Sequence, residues 1–222
     1  NPAVVEEMTA IAASWLQRGV AGFRIDAARY LVEEEERQAD TQATHDVTKE
    51  LRRALLAADR DVLLIAEAWT ALDRVVTYRG EGDEYDLAFD FDLSQAIQTA
   101  LRIEEAWPIG DHLVRLVEAL PDLSYEGPFL TNHDMTRLPS VVGDDEALLA
   151  AAARLFLTLP GVPVMYYGEE VAMPNGLEAD DRAKRRPLRW DETEKGGFTE
   201  GTPWQPLGGA PDNSVAAHLA RE

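Results

Sequence analysis

The chain has 222 residues and carries 21 basic against 41 acidic side chains, which gives it a net charge of −20. Hydrophobic residues make up 45% of it, a normal share for a folded domain, and the lack of cysteine excludes disulfides, thiolate metal sites and a thiol nucleophile. The acidity argues against nucleic acid and acidic substrates as partners, and the absence of an apolar run of about 18 residues argues against a membrane span.

The first half of the chain alternates helices with short apolar strands. Apolar residues recur at helical spacing over 2–18 and 45–58, which predicts two amphipathic helices. Residues 21–26 and 61–67 are typical of buried strands, and each of these strands ends in a carboxylate. A third, weaker strand is predicted over 87–91.

The second half continues the alternation. Helices are predicted over 93–102, 110–120 and 145–159 from the spacing of their apolar residues. A fourth strand is predicted over 128–131 and a fifth over 162–168. Strands that alternate with helices in this way are the signature of parallel βαβ units.

The last part of the chain has a different character. Residues 169–212 are rich in glycine, proline and charge, and we expect a long irregular loop whose aromatic residues, Trp190 and Trp204, are buried against the rest of the fold. The basic run 182–186 within it is expected to be a solvated loop. A final helix is predicted to start in 213–222.

Two architectures with a parallel sheet are consistent with this pattern. A dinucleotide-binding sheet lacks its glycine-rich fingerprint here, since neither G-x-G-x-x-G nor a P-loop follows the first strand. The (β/α)8 barrel places catalytic residues at the carboxyl ends of several strands. Asp26, Glu67 and Asp134 lie at or just past the ends of three predicted strands, which favours the barrel and predicts that the three share a pocket.

Paired carboxyl groups suit the hydrolysis of an acetal. One ionised carboxylate attacks the anomeric carbon or stabilises positive charge on it, and one protonated carboxyl gives its proton to the leaving oxygen. Side chains alternate along a strand, so Arg24 projects to the same side as Asp26 and can keep that carboxylate ionised. Taken alone, Arg24 and Asp26 are more typical of a buried structural salt bridge, since such pairs are common.

Three segments together resemble signature blocks of the α-amylase family, glycoside hydrolase family 13. They are Gly22–Tyr30 (GFRIDAARY), Ile65–Trp69 (IAEAW) and Phe129–Asp134 (FLTNHD), and they occur in the order that the family has. The resemblance extends over essentially the whole chain. It includes segments similar to the family's sixth strand, its eighth strand with the following turn, and a loop found in many members: 85–91, 160–169, and 186–190 with 197–199.

The resemblance implies a role for five residues. Asp26 matches the catalytic nucleophile, Glu67 the general acid/base, and Asp134 the third acid, which binds sugar hydroxyls and stabilises the transition state. Arg24 and His133 match residues that line the subsite of the reacting glucose. The implied mechanism is retaining and passes through a covalent glycosyl-enzyme intermediate.

Outer substrate contacts are implied for Arg29 and Tyr30, where many α-amylases carry Lys-His, and for Trp69, which can stack on a sugar or pack in the core. Ala27 directly after the nucleophile favours α-1,4 over α-1,6 linkages, since α-1,6-cleaving members often have valine there. Glu169 and Glu170 are read as a solvated turn, and His45, His112 and His218 as surface residues.

The resemblance also implies what the fold should contain. The chain corresponds to a partial (β/α)8 barrel, from the helix before strand four through strand eight, without strands one to three and the inserted domain. We expect this catalytic-domain piece by itself to be poorly soluble and inactive. Calcium is a possible cofactor by resemblance, with ligands mostly outside the piece; no metal cluster is visible in the sequence. Secreted and cytoplasmic locations are both open.

Three functions follow from these features. The first is a retaining hydrolase acting on starch, glycogen or maltooligosaccharides. The second is an exo-acting α-glucosidase or a trehalose-forming transglycosylase of the same family. The third, a non-catalytic relative that has lost its carboxylates, is disfavoured because Asp26, Glu67 and Asp134 are all present.

Overall fold

The computed structural model of the protein describes residues 1–120 and 122–221. These residues form two compact units, each of them assembled from separate stretches of the chain. The first unit comprises 1–92, 112–128 and 160–162, and the second comprises 93–111, 129–159 and 163–221.

A parallel sheet lies at the centre of the first unit. Its strands are β1 (Gly22–Ile25), β2 (Leu63–Ala66), β3 (Leu87–Phe89) and β4 (Glu126–Gly127), paired in that order. Every neighbouring pair is parallel, and Gly22 of β1 faces Leu63 of β2. The predicted α/β class with a parallel sheet is therefore confirmed.

Gly22 allows β1 and β2 to approach each other. A Cβ atom at this position would lie 2.2 Å from the backbone oxygen of Leu63, far inside van der Waals contact. Any larger residue would push the strands apart where their register is set. The glycine that opens the first signature block therefore has a structural reason.

The helices are close to those expected from apolar spacing, with boundaries set by capping residues. The side chain of Asn1 accepts a hydrogen bond from Ala3 N at the start of the first helix, and Thr41 accepts one from Thr44 N, which starts the second helix three residues before the predicted His45. None of the helices in the described part of the chain is long and apolar enough to cross a membrane. The helices are α1 (Pro2–Leu16), α2 (Gln42–Ala58), α3 (Leu72–Val75), α4 (Phe91–Ile103), α5 (Trp107–Ala119), α6 (Leu138–Val142), α7 (Glu146–Thr158) and α8 (Val215–Leu219).

Two strand predictions were wrong. The fourth strand lies at Glu126–Gly127 rather than over 128–131, and the structure has no strand in 162–168. Val162 N donates one hydrogen bond to Glu126 O, 2.9 Å away. Beyond this bond the apolar segment 162–168, which reads as a strand in the sequence, has no regular secondary structure up to the turn at its end.

The hydrophobic core of the first unit lies between the sheet and the helices α1 and α2. Its buried side chains come from both helices, the strands and the loops that follow them, and include Leu16, Ala28, Leu55, Val62, Leu64, Ala66, Ala68, Tyr78 and Tyr85. A smaller cluster joins α3 to α5 through Leu72, Leu116 and Leu120.

The second unit has little regular structure beyond its helices. Val171, Met173 and Leu188 form its buried cluster, against which Val215 packs. Short 3₁₀ turns occupy Glu169–Val171, Asp181–Lys184 and Pro211–Asn213 in the segment predicted as a long loop. The expected burial of its tryptophans was wrong: Trp190 is 53% exposed and Trp204 is 72% exposed.

A buried polar cluster of the first unit also departs from expectation. His112, predicted at the surface, is buried, and its Nε2 lies 2.5 Å from Oδ2 of Asp90. Its helix turns this side chain inward, where a single histidine among polar residues gives no sequence signal. Glu126 of β4 is buried beside Asp90, and burial together with the nearby Asp90 charge raises the pKa of Glu126 to about 9.

The Glu126 carboxyl makes the stability of the protein depend on pH. Its folded pKa of about 9 exceeds its ordinary 4.5, so between these values the folded state holds a proton that the unfolded state has released. The free energy of unfolding should fall as pH rises through this window, on the order of 1 kcal/mol per pH unit. Urea unfolding at pH 5 to 9 measures this slope.

Glu126→Gln cannot ionise and should reduce the slope, most clearly between pH 7 and 9, above the raised pKa of Glu169, whereas the exposed Glu118→Gln on α5 should leave it unchanged. Equal slopes in the wild type and in Glu126→Gln would show that Glu126 does not carry the effect.

Candidate active site

The predicted nucleophile and the predicted acid lie at the carboxyl ends of adjacent strands in the first unit, with Arg24 between them. Nη1 of Arg24 is 2.8 Å from Oδ1 of Asp26, and its Nη2 is 3.7 Å from Oε2 of Glu67. Two like charges at neighbouring strand ends repel each other, and one guanidinium that faces both offsets that repulsion. The predicted contact between Arg24 and Asp26 is thus present.

The backbone turns sharply after Asp26 and holds Glu67 in place. The parallel ladder continues past the strands, since Glu67 N donates to Ile25 O at 3.0 Å and Ala28 N donates to Glu67 O at 2.9 Å. Ala27, which lies between Asp26 and Ala28, has φ 48° and ψ 42°, in the left-handed region that residues with a Cβ seldom adopt. In this conformation Ala27 N donates to Oε2 of Glu67 at 2.7 Å.

The two carboxyl groups differ in their access to solvent. The Asp26 side chain is 75% exposed, whereas the Glu67 side chain is 16% exposed and bonded to the backbone. An accessible carboxylate can attack an electrophilic carbon of a bound molecule, and a fixed neighbouring carboxyl can transfer a proton to the group that leaves. The geometry therefore suits the pair of roles that the sequence predicts.

Arg29 is bonded to protein groups rather than open to solvent. Its guanidinium makes a double contact with the carboxylate of Asp40, at 3.0 and 2.6 Å, and donates to the backbone oxygen of Trp69 at 2.9 Å. The hydroxyl of Tyr78 donates to the same Asp40. The Arg29 hydrogen bond holds the pKa of Asp40 below its ordinary value. Arg29 thereby ties the loop after β1 to the loop after β2, and its predicted contact with substrate stays a prediction.

Two aromatic side chains near this network are open to solvent. Trp69 is 52% exposed, and one face of its ring stacks on Phe91 with centroids 4.5 Å apart. Tyr30 is also 52% exposed, and the guanidinium of Arg29 lies 5.4 Å from its ring centroid. Both side chains are therefore available to a ligand, as their predicted role requires.

The third predicted acid, Asp134, lies in the second unit with His133. Nε2 of His133 is 3.2 Å from Oδ2 of Asp134, and Asp134 N donates to the side chain of Asn132. Asp134 follows the end of β4 by seven positions rather than directly. That the three carboxylates share a pocket stays a prediction.

Basic residues that the sequence assigned to a solvated loop hold Asp134. Nη2 of Arg185 is 2.6 Å from Oδ1 of Asp134, and Nε of Arg185 donates to His133 O. Nζ of Lys184 donates to Asp134 O at 2.8 Å. The prediction of a merely solvated loop was wrong for these two residues, because a partner some 50 positions away in the chain leaves no mark in the local pattern.

Arg137 holds together the loop segments near Asp134 that contain Tyr167 and Lys184. It is fully buried, and its guanidinium donates to Tyr167 O at 2.8 Å and Lys184 O at 2.9 Å. The same guanidinium lies 4.3 Å from the ring centroid of Tyr166. Irregular segments need partners for their buried carbonyls, and here one arginine supplies them.

Glu169 is similarly engaged, although the sequence suggested a solvated turn. Its Oε1 accepts a hydrogen bond from the Thr131 hydroxyl, and its Oε2 accepts one from Tyr166 N. Burial raises the pKa of Glu169 to about 7 despite these hydrogen bonds. Glu169 thus ties the turn after residue 168 to the segment that leads into Asp134.

Within residues 1–120 and 122–221, no three His, Asp or Glu side chains are grouped so that they could hold a metal ion. The calcium that the resemblance implies therefore has no fitting ligand set in this part of the chain.

Comparison with known proteins identifies related sequences. The model of the α-amylase catalytic domain matches residues 1–218. The trehalose synthase/amylase TreS of Mycolicibacterium smegmatis is 33% identical over 91% of this chain and 40% of its own length. Alpha-amylase 3 of Dictyoglomus thermophilum is 30% identical over 97% of this chain and 42% of its own length. The chain thus spans about two fifths of the length of these curated relatives.

Solved structures agree in fold. An α-amylase from H. orenii superimposes with a TM-score of 0.78 at 26% identity, covering 91% of this chain and 42% of that one. An α-glucosyl transfer enzyme, XgtA, gives a TM-score of 0.86 at 20% identity, covering 99% of this chain and 49% of that one.

Arg137→Lys should destabilise the protein strongly. Lysine cannot reproduce two hydrogen bonds from one planar group, and the loss leaves the Tyr167 carbonyl without this donor, so the free energy of unfolding should fall by about 1 to 3 kcal/mol. Urea unfolding measures it, with Arg154→Lys on the exposed face of α7 as the control. If Arg137→Lys unfolds like the control, Arg137 does not anchor these loops.

Proposed function

The chain belongs to the family of α-amylase catalytic domains, and we propose that the whole protein is a retaining glycosidase that cleaves α-glucosidic bonds. The observation that carries the proposal is Arg24, which faces both Asp26 and Glu67 at the ends of β1 and β2. The family match and the enzymes among its relatives support the same reaction type.

In the first step, Asp26 acts as the nucleophile. Its exposed carboxylate attacks the anomeric carbon of the sugar, the bond from that carbon to the glycosidic oxygen breaks, and the glycosyl group becomes an ester of Asp26. Arg24 holds one oxygen of this carboxylate through the 2.8 Å ion pair, which orients the carboxylate for attack.

Glu67 supplies the proton that the leaving oxygen needs. Because its Oε2 accepts the N–H of Ala27 at 2.7 Å and faces Arg24, the transferable proton belongs on Oε1. Once the leaving sugar has departed, the same carboxylate takes a proton from water, and that water cleaves the ester of Asp26. The sugar is released with its original anomeric configuration.

A neutral α-glucan is the substrate that these features favour. The net charge of −20 disfavours anionic substrates, and Ala27 beside the nucleophile favours α-1,4 linkages by resemblance. We therefore propose starch, glycogen or maltooligosaccharides. Asp134, paired with His133 and Arg185, is proposed as the acid that binds sugar hydroxyls.

Trapping the covalent intermediate tests the nucleophile. A fluorinated α-glucosyl fluoride, whose fluorine slows breakdown of the ester, should add one glycosyl unit to the peptide that contains Asp26, as seen by mass spectrometry. Asp26→Asn should abolish the label. A label on another residue, or a label that persists in Asp26→Asn, would contradict the assignment.

Turnover of maltotriose tests the acid. Glu67→Gln should lower kcat by about 10²- to 10⁴-fold, because Gln cannot donate the proton. Asp61→Asn, an exposed change at the opposite end of β2, should have no effect. A loss of less than about tenfold in Glu67→Gln would show that Glu67 is not the acid, and no turnover in the unmutated protein would indicate a binding protein without this chemistry.

A second candidate is the conversion of maltose into trehalose. It is favoured by the 33% identity to the trehalose synthase/amylase of M. smegmatis. The two candidates differ in what attacks the glycosyl ester: water gives free glucose, whereas a retained glucose gives trehalose. Incubation with maltose separates them, since trehalose as the main product supports the transglycosylase and glucose as the main product supports the hydrolase.

A further inference from the structure

Asp40 joins three parts of the first unit through its side chain. Its carboxylate accepts two hydrogen bonds from the guanidinium of Arg29, at 3.0 and 2.6 Å, and one from the hydroxyl of Tyr78 at 2.7 Å. Tyr78 is fully buried, whereas the side chains of Asp40 and Arg29 are 13% and 18% exposed. Both oxygens of this carboxylate are therefore held by donors of the protein itself.

The backbone repeats the contact that the side chains make. Asp40 N donates to Arg29 O at 2.9 Å, so residues 30–39 form a loop whose two ends are joined by main chain and side chains together. Asp40 has φ 55°, in the left-handed region, which aspartate tolerates better than most residues. The next residue, Thr41, caps α2. The position of the Asp40 carboxylate is therefore set by the backbone as well as by its partners.

Three consecutive residues of the loop after β1 hold the segment that carries Glu67. Ala27 N donates to Oε2 of Glu67 at 2.7 Å, and Ala28 N donates to Glu67 O at 2.9 Å. The third is Arg29, whose Nη1 donates to Trp69 O at 2.9 Å. The first two bonds come from the backbone, but the third comes from a long side chain with several rotatable bonds. That bond keeps its geometry only if another group fixes the guanidinium.

Asp40 fixes this guanidinium. A double hydrogen bond between a carboxylate and a planar guanidinium sets both the position and the orientation of the cation. The Arg29 hydrogen bond holds the pKa of Asp40 below its ordinary value, so the pair stays charged at neutral pH. An amide at position 40 would keep the shape of the side chain but has only one acceptor oxygen and no charge. Arg29 would then lose one of its two bonds and its counter-ion.

We propose that Asp40 is a positioning residue for the acid Glu67 and acts on it through Arg29. The inference rests on the proposed function, because that function gives Glu67 a proton to transfer. A proton reaches the leaving oxygen only when the acid lies within hydrogen-bond reach of it, and small displacements of a reacting group cost large factors in rate. Loss of Asp40 should therefore slow the step that needs the proton and spare substrates whose leaving group needs none.

Two substrates with the same maltosyl group separate these cases. Maltotriose releases a sugar whose oxygen must be protonated, whereas 4-nitrophenyl α-maltoside releases 4-nitrophenolate, which departs as a stable anion. The value to compare is kcat/KM, which reports the steps up to formation of the Asp26 ester. In the whole protein, Asp40→Asn should lower kcat/KM by about 10- to 100-fold for maltotriose and by less than about threefold for the nitrophenyl substrate. Glu67→Gln supplies the reference pattern, since it removes the proton donor itself.

Further variants test whether Asp40 acts through Arg29. Asp40→Glu keeps the charge and should restore most of the kcat/KM for maltotriose. Tyr78→Phe removes one hydrogen bond to Asp40 but keeps the ring, and it should give a smaller loss of the same selectivity, about two- to fivefold. Arg29→Lys should cause the same selective loss as Asp40→Asn, and the double variant should be no worse than the more severe single one.

The matched control is Glu50→Gln on the exposed face of α2, which should leave both values of kcat/KM unchanged. A pair that served stability alone would lower both values together, because a smaller folded fraction affects every substrate equally. Equal losses for the two substrates in Asp40→Asn and Tyr78→Phe, or additive losses in the double variant, would overturn the proposal. If Asp40→Asn does not fold, Tyr78→Phe decides by the same comparison.

The same assays separate this inference from the proposed function. A protein that cleaves both substrates, and in which only Glu67→Gln shows the selective loss, keeps the glycosidase and loses the role of Asp40. A protein in which Glu67→Gln shows no selective loss does not use Glu67 as its acid, and the proposed function and this inference then fail together.

Discussion

The guanidinium of Arg24 between Asp26 and Glu67 is the interaction on which the proposed chemistry depends. The register of β1 and β2 brings the two carboxyl groups to neighbouring strand ends, where their charges would repel each other. Arg24 offsets this repulsion, and the left-handed turn at Ala27 supplies Glu67 with a backbone donor. A strained residue at this position has a reason, since its N–H is what holds the acid.

In the second unit, Asp134 is also held by basic side chains, but the backbone that carries them is less regular. Arg185 and Lys184 fix Asp134, and the buried Arg137 fixes the segment that carries Lys184. Loops can position a functional group only where their own polar groups are satisfied, and three basic residues do this here. A protein with twice as many acidic as basic side chains thus places several of its few cations beside the acids proposed for function.

Features with a local periodicity or a recognisable motif could be predicted from the sequence. Apolar spacing predicted the main helices, and the alternation of elements predicted the parallel sheet. Prediction failed where the decisive partner is distant: the ion pair of Arg185 with Asp134, the burial of His112 beside Asp90, and the bonds of Glu169. It also failed at 162–168, where an apolar composition suggested a strand that the structure does not contain.

The anomeric configuration of the first product shows whether Asp26 is the nucleophile. Proton NMR of maltotriose hydrolysis, recorded before mutarotation, distinguishes attack by Asp26 from attack by water. A covalent ester of Asp26 requires two inversions, so the α-anomer should appear first. Initial release of the β-anomer would mean that water attacks the sugar directly, and Asp26 could not be the nucleophile that Arg24 orients.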